Sequence, residues 1–255
     1  MQKSWAARTD TGRRRSQNED SFCADLDLGL FVVADGMGGH VGGEVASELA
    51  VTEIQTVIEF TATLGPQDTW PVPFDAKVGT DGNRLRASFT MANRRIARKI
   101  EKAEKLRGMA TTAVAALVKG SKAALAHVGD SRAYLYRAGQ LTRLTSDHSW
   151  VEEQVRGGML TEAAAREHPR RNIVTRALFG ASDLDVEVSE LELETGDRLL
   201  LCSDGLSTVL QDDEIGQVLS APGDLQVVCD ELVNRANAAG GPDNVTTLLV
   251  DVATE

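Results

Sequence analysis

The sequence predicts an α+β protein, a four-layer α-β-β-α sandwich in which two mainly antiparallel sheets lie face to face and helices cover the outer sides. Two observations carry this. After Met109, strand-length apolar runs follow one another across short turns, as hairpins do. The helical patterns are grouped, two early and one late, whereas a doubly wound parallel sheet needs strands and helices to alternate. At 255 residues and 42% hydrophobic, the chain can bury one sizeable core or two small ones. No linker, charge block or repeat divides it, so residues 1–255 read as one domain.

Taken in order, residues 3–9 and 20–25 read as short strands and 29–34 as a buried one. The period then changes. Ala46, Ala50, Ile54 and Ile58 recur every fourth residue, with Leu49 and Val57 beside them, which predicts an amphipathic helix over 43–60. A second helix is expected from about Asn83 to Lys105, with Arg and Lys on its outer face. The segment between them, 61–83, holds three of the six prolines and is expected to be an inserted loop pinned by Trp70 and Phe74. Strands follow at 111–118 and 123–128, then at 133–136 and 141–145, each pair across a short turn. Residues 148–180 look helical and irregular. Strands return at 184–193 and 197–203, and a helix at 224–238 leads to a last strand at 244–252.

Bulk properties exclude several functions. A net charge of −11 argues against a nucleic-acid footprint, which would need a basic face, and 4% aromatics leave few surfaces on which bases could stack. Three cysteines, Cys23, Cys202 and Cys229, without C-x-x-C spacing suggest neither a disulfide framework nor a zinc site. Apolar runs are only strand-length and the N-terminus lacks an apolar signal region, so the expectation is a cytoplasmic protein with no membrane insertion.

The chemistry is suggested by FVVADGMGG, residues 31–39. An isolated Asp-Gly is usually a turn, but here the pattern of apolar strand, aspartate and glycine recurs. It returns with Asp130 after Leu125–Val128 and with Asp204 after Leu199–Ser203. Asp243 stands just before the last strand, and Asn18-Glu19-Asp20 at the start of an early one. Carboxylates gathered at one sandwich edge would repel and shift one another's pKa values, unless a hard cation sits among them. Oxygen donors without His or Cys select Mg²⁺ or Mn²⁺. A glycine after the aspartate also lets its backbone approach the ion closely.

With RSQNEDSF (15–22), VVADGMGGHVGGEVAS (32–47), GMATTAVAAL (108–117), HVGDSRAYLYR (127–137), RNIVTRALFG (171–180), LLLCSDGL (199–206) and GGPDNVTTLLV (240–250) in this order, the chain resembles the metal-dependent protein phosphatases of the 2C type, the PPM family. The resemblance implies hydrolysis of phosphoserine and phosphothreonine in proteins by attack of a metal-bridging water or hydroxide, with two central Mn²⁺ or Mg²⁺ ions and a third beside them. It implies that Asp35 bridges the central ions, that the Gly36 carbonyl binds one, and that Asp204 and Asp243 complete the first ion's shell. Asp20 and Glu19 then act largely through bound waters, and Asp130 joins Asp204 at the third ion. Arg15 stands where the family binds phosphate, His40 is the candidate general acid, and residues 145–182 correspond to the family's flap. A stand-alone bacterial enzyme is implied, a monomer that reverses a Ser/Thr kinase on its phosphoprotein substrates.

Other residues have simpler readings. Arg13 and Arg14 form a solvated basic patch, Glu44 complements the start of the first helix, Cys202 and His127 are core strand residues, and Asp147 caps a helix. A binding module that kept only the fold would have lost its aspartates. A haloacid-dehalogenase-type phosphatase needs D-x-D, which FVVADG lacks, and net acidity weighs against a nuclease.

Overall fold

The computed structural model describes residues 2–38 and 42–253. Two five-stranded antiparallel sheets face each other. One runs in the order β1-β10-β9-β6-β7, from β1 (Gln2–Asp10), β10 (Val245–Ala253), β9 (Arg198–Cys202), β6 (Arg132–Arg137) and β7 (Gln140–Arg143). The other runs β2-β3-β4-β5-β8, from β2 (Asp20–Asp25), β3 (Leu30–Met37), β4 (Ala110–Lys119), β5 (Lys122–Val128) and β8 (Glu187–Glu192). Helices α1 (Gly42–Thr61) and α2 (Thr80–Lys102) cover the second sheet, while α6 (Asp212–Leu219) and α7 (Leu225–Ala238) cover the first. This is the four-layer α+β sandwich predicted from the sequence.

Strand alternation builds three apolar layers. In β3, Leu30, Val32 and Ala34 face α1 and α2, whereas Phe31 and Val33 point between the sheets. In β9, Leu199 and Leu201 point between the sheets, and Leu200 and Cys202 pack under the opposite helices. Both faces of these strands are buried, which is why they read as continuous apolar runs rather than alternating ones. The edge strand β8 carries Glu187, Glu190 and Glu192, and these charges discourage further pairing at that edge.

Several boundaries differ from the sequence reading. Strand β3 runs three residues past Ala34, because pairing with β4 continues to Met37 opposite Ala110. Asp35 and Gly36 therefore lie within the strand. Helix α2 begins at Thr80 and ends at Lys102, with a 3₁₀ turn at Glu104–Leu106. Asn83 sits inside its first turn, where the side chain accepts the Asp75 amide at 2.8 Å and donates to the Asp75 and Val78 carbonyls at 2.9 Å. The inserted loop is pinned as expected. Trp70 packs against Val57 and Ala87 of the two helices, meets Phe74 at a tilt with ring centroids 5.2 Å apart, and donates to the Gly65 carbonyl at 2.9 Å.

Two helices were not foreseen. The four-residue α5 (Asp204–Ser207) is too short to show a period, and α6 opens on a reciprocal capping box between Gln211 and Glu214. The irregular segment contains α3 (Trp150–Arg156) and α4 (Glu162–Glu167). Asp147 does not cap α3, since Ser149 does so by accepting the Glu152 amide. Asp147 instead holds Arg132 through two hydrogen bonds of 2.9 and 2.7 Å.

Candidate metal-binding active site

Antiparallel pairing brings the acidic strand ends to one edge of the sandwich. Asp20 at the start of β2 lies opposite Asp35 near the end of β3. On the facing sheet, Cys202 at the end of β9 lies opposite Thr247 near the start of β10, so Asp204 and Asp243 emerge together. Ser203 and Thr246, from that sheet, donate their hydroxyls to Asp20 Oδ2 at 2.8 and 2.7 Å. These two bonds join the sheets at the site.

Like charges directly opposite on paired strands repel, and burial worsens the cost. Desolvation, reinforced by the charges of Asp20, Asp204, Asp130 and Asp243, pushes the Asp35 carboxyl well above the usual range. Burial, opposed by the Thr246 and Ser203 hydroxyls and aided by Asp204 and Asp243, raises Asp20 to about 7. Asp204 rises to about 6, through burial and the nearby Asp243. Asp130 is also raised well above the ordinary value, by burial and by Asp204.

The remaining residues are set by backbone and loop. Gly36 donates its amide to the Glu19 carbonyl at 3.1 Å, and a Cβ there would fall 2.1 Å from the Gly43 carbonyl oxygen. Only glycine allows β3 to approach the start of α1 so closely. The Glu19 carboxyl packs against Gly43 in the first turn of α1, and burial raises its pKa. Glu44 also lies in that turn, where an acid complements the helix dipole. Asp243 accepts the Asn244 amide at 2.8 Å with one oxygen and Arg15 at 2.7 Å with the other. Arg15 is half exposed, and its pairing with Asp243 raises its pKa. His40 lies outside the described residues.

Three residues missed in the sequence hold this edge together. Ser203 and Thr246 orient Asp20. Asn244, almost fully buried, accepts the Glu19 amide at 2.8 Å and donates to the Thr11 and Gln17 carbonyls at 2.9 and 2.8 Å. Its position after Asp243 was the only hint, since its partners lie more than 220 residues away in sequence. His127 was read as a core residue and is buried, but its ring stacks on His148 at 4.6 Å between centroids. With Glu187, these histidines bring three ligand-type atoms within 4.8 Å of one another. Hydrogen bonds to Ser146, Gly129 and Glu187 already engage three of the four ring nitrogens, so the trio forms a polar relay rather than a vacant cation cage.

Asp20 Oδ1 and Asp204 Oδ1 are buried without a hydrogen-bond partner among the described residues. Buried carboxylate oxygens are costly unless satisfied. A group of oxygen donors with raised pKa values and two such orphaned atoms fits hard divalent cations. A cavity of about 340 Å³ opens beside Asp130 and Asp204, bordered by Arg132, Asp147, Arg166 and Arg171. No described helix is long and apolar enough to cross a membrane.

Comparison with known proteins agrees with this geometry. A family profile described as protein phosphatase 2C matches residues 11–250. The chain is 39% identical over 250 residues to the serine/threonine phosphatase stp of Listeria welshimeri, spanning 96% of this chain and 94% of that protein. The crystal structure of the Mycobacterium tuberculosis serine/threonine phosphatase PstP/Ppp superposes with a TM-score of 0.87 at 37% identity and 99% coverage of both chains. The catalytic domain of PstP in complex with two manganese ions gives 0.83 at 36% identity and the same coverage. By profile, sequence and fold alike, the chain belongs to the protein phosphatase 2C family.

Proposed function

We propose that the protein is a metal-dependent serine/threonine phosphatase that removes phosphate from phosphoserine and phosphothreonine in proteins. The observation that carries this is the acidic edge itself, four partly buried and mutually repelling aspartates with two orphaned oxygens. Asp35, Asp204 and Asp243, with the Gly36 carbonyl, hold two central Mn²⁺ or Mg²⁺ ions. Asp20 and Glu19 support them, and Asp130 with Asp204 holds a third. When bound, such ions act as Lewis acids that lower the pKa of water towards neutrality and offset the phosphate charge. Ser203 and Thr246 keep Asp20 fixed, so little reorganisation is needed when ions bind. His40, five residues after Asp35 in sequence, is the candidate proton donor to the leaving oxygen. The proposed substrates are products of a Ser/Thr kinase, and the protein works as a cytoplasmic monomer.

Purified protein is expected to hydrolyse phosphothreonine peptides with Mn²⁺ or Mg²⁺ and to stop on exhaustive chelation. Retained turnover with metal content measured near zero would overturn the proposal.

Arg15 is the proposed phosphate clamp. Its guanidinium sits at the site on Asp243, half exposed, and can turn one face of its fork to incoming phosphate oxygens. Arg15→Ala is expected to raise KM for a phosphopeptide about tenfold or more, the equivalent of a lost charge-assisted hydrogen bond worth roughly 1.5–3 kcal/mol. Lysine should recover only part, lacking the planar fork. An unchanged KM at saturating Mn²⁺ would return Arg15 to the solvated surface.

A further inference from the structure

We propose that His148 is a positioning residue that couples the Asp130 loop to the 145–182 segment, so that binding of the third ion and the order of that segment are linked. This rests on the reading of Asp130 as an ion ligand.

His148 is buried, and it holds both main-chain polar groups of Gly129, the residue before Asp130. Its amide donates to the Gly129 carbonyl at 2.9 Å, and its Nδ1 accepts the Gly129 amide at 3.0 Å. Gly129 has no side chain with which to anchor itself. Its φ of +109° suits glycine alone, and an added Cβ would lie 2.4 Å from the Thr112 side chain. Where Gly129 sits, and hence where Asp130 points, depends on the residue bonded to it.

That same residue closes the segment. The His148 carbonyl accepts the Thr175 amide at 2.8 Å, the Ile173 carbonyl accepts the Trp150 amide at 2.8 Å, and Ser149 bridges to Val174. The outgoing and returning limbs therefore meet at His148. Because Nδ1 accepts, the ring proton is on Nε2, which donates to Glu187 on β8 at 3.0 Å. His127 stacks on the other side and donates Nε2–H to the Ser146 carbonyl at 2.9 Å. Orientation and tautomer of the ring are both fixed. A shift of the limbs moves His148, and with it Gly129 and Asp130; by linkage, an ion that fixes Asp130 must order the limbs in return.

Calorimetric Mn²⁺ titration and hydrogen exchange over residues 149–174 test this in wild type, Asp130→Asn, His148→Ala and His148→Asn. An asparagine amide oxygen can stand where Nδ1 stands and accept the Gly129 amide, but it cannot reach Glu187. His148→Ala is expected to weaken the weakest Mn²⁺ site about tenfold or more while the two tighter ions stay bound, the usual scale for a lost outer support of a ligand. It should also abolish the slowing of exchange that Mn²⁺ produces over 149–174 in wild type. His148→Asn should stay within about threefold of wild type. Unchanged affinity in His148→Ala, or equal losses in the two variants, would overturn the inference by leaving His148 a packing residue. If Asp130→Asn keeps the third ion, the reading of Asp130 falls and the inference with it. If Asp130→Asn loses that ion and His148→Ala does not, the inference alone falls. Should His148→Ala fail to fold, His148→Leu fills the ring's place but accepts nothing from the Gly129 amide. It must then weaken the same site, and no change there would count against the coupling.

Discussion

Asp35→Asn is expected to lower kcat for a phosphothreonine peptide by roughly 10³-fold or more at saturating Mn²⁺, a loss of about 4 kcal/mol of transition-state stabilisation. Asp35 is the central member of the cluster, the one whose carboxyl feels Asp20, Asp204, Asp130 and Asp243 together. Asparagine preserves its size and one oxygen, so packing between β2 and β4 should survive. What disappears is the negative charge and one of the two oxygens proposed to hold the ions. The metal-free variant is expected to be more stable than wild type, because a buried, repelled carboxyl is replaced by a neutral amide. Loss of activity with gain of metal-free stability is a pairing that general misfolding cannot produce. Turnover within tenfold of wild type at saturating Mn²⁺ would remove Asp35 from the centre of the site.

Some of this was legible in the sequence, for a physical reason. A strand that ends on an acid and a glycine carries a cost wherever it occurs, and the pattern at Asp35 and Asp204 is visible because each case is local. Asp130 and Asp243 could be added because each adjoins a strand whose apolar run is plain. The fold class followed likewise from the grouping of helices and the short turns between strands.

The supporting residues were not legible, because their significance is made by distant parts of the chain. Ser203 and Thr246 are ordinary strand-end hydroxyls until the two sheets meet and both reach Asp20. Asn244 looks like a loop residue until Thr11, Gln17 and Glu19 surround it. His148 follows an aspartate that seemed to be a helix cap, and only the folded chain shows Asp147 on Arg132 and His148 on Gly129. Boundaries failed for a related reason. The end of β3 is set by pairing with Ala110 and the start of α2 by bonds to a preceding loop, and neither is a property of the local sequence.

The raised carboxyls make a second large effect, on stability against pH, and its sign is opposite to that of most acidic groups. A group whose folded pKa lies above its unfolded value stabilises fully below the unfolded pKa, and that contribution is lost as pH rises through the folded one. Asp20 moves from 3.8 to about 7 and Asp204 to about 6, with Asp35 and Asp130 displaced in the same direction. Metal-free protein should therefore lose stability between about pH 4 and pH 7. Asp20 alone accounts for roughly 4 kcal/mol, on the order of 10 °C in Tm for a chain of this size. His148 acts the other way, since burial lowers its pKa and keeps it neutral; comparison with Asp20→Asn, which leaves His148 in place, isolates the carboxyl contribution. Divalent ions bind the folded state alone and compete with protons for these oxygens, so their stabilisation should be small at pH 5 and large at pH 8. Thermal melts of metal-free and Mn²⁺-loaded protein across that range test both halves. The metal-free Tm should fall more steeply towards pH 7 in wild type than in Asp20→Asn, and the Mn²⁺-induced rise should grow with pH. Parallel metal-free curves for the two proteins, with a rise on Mn²⁺ equal at pH 5 and pH 8, would mean that the acidic edge is neither repelled when empty nor relieved by cations.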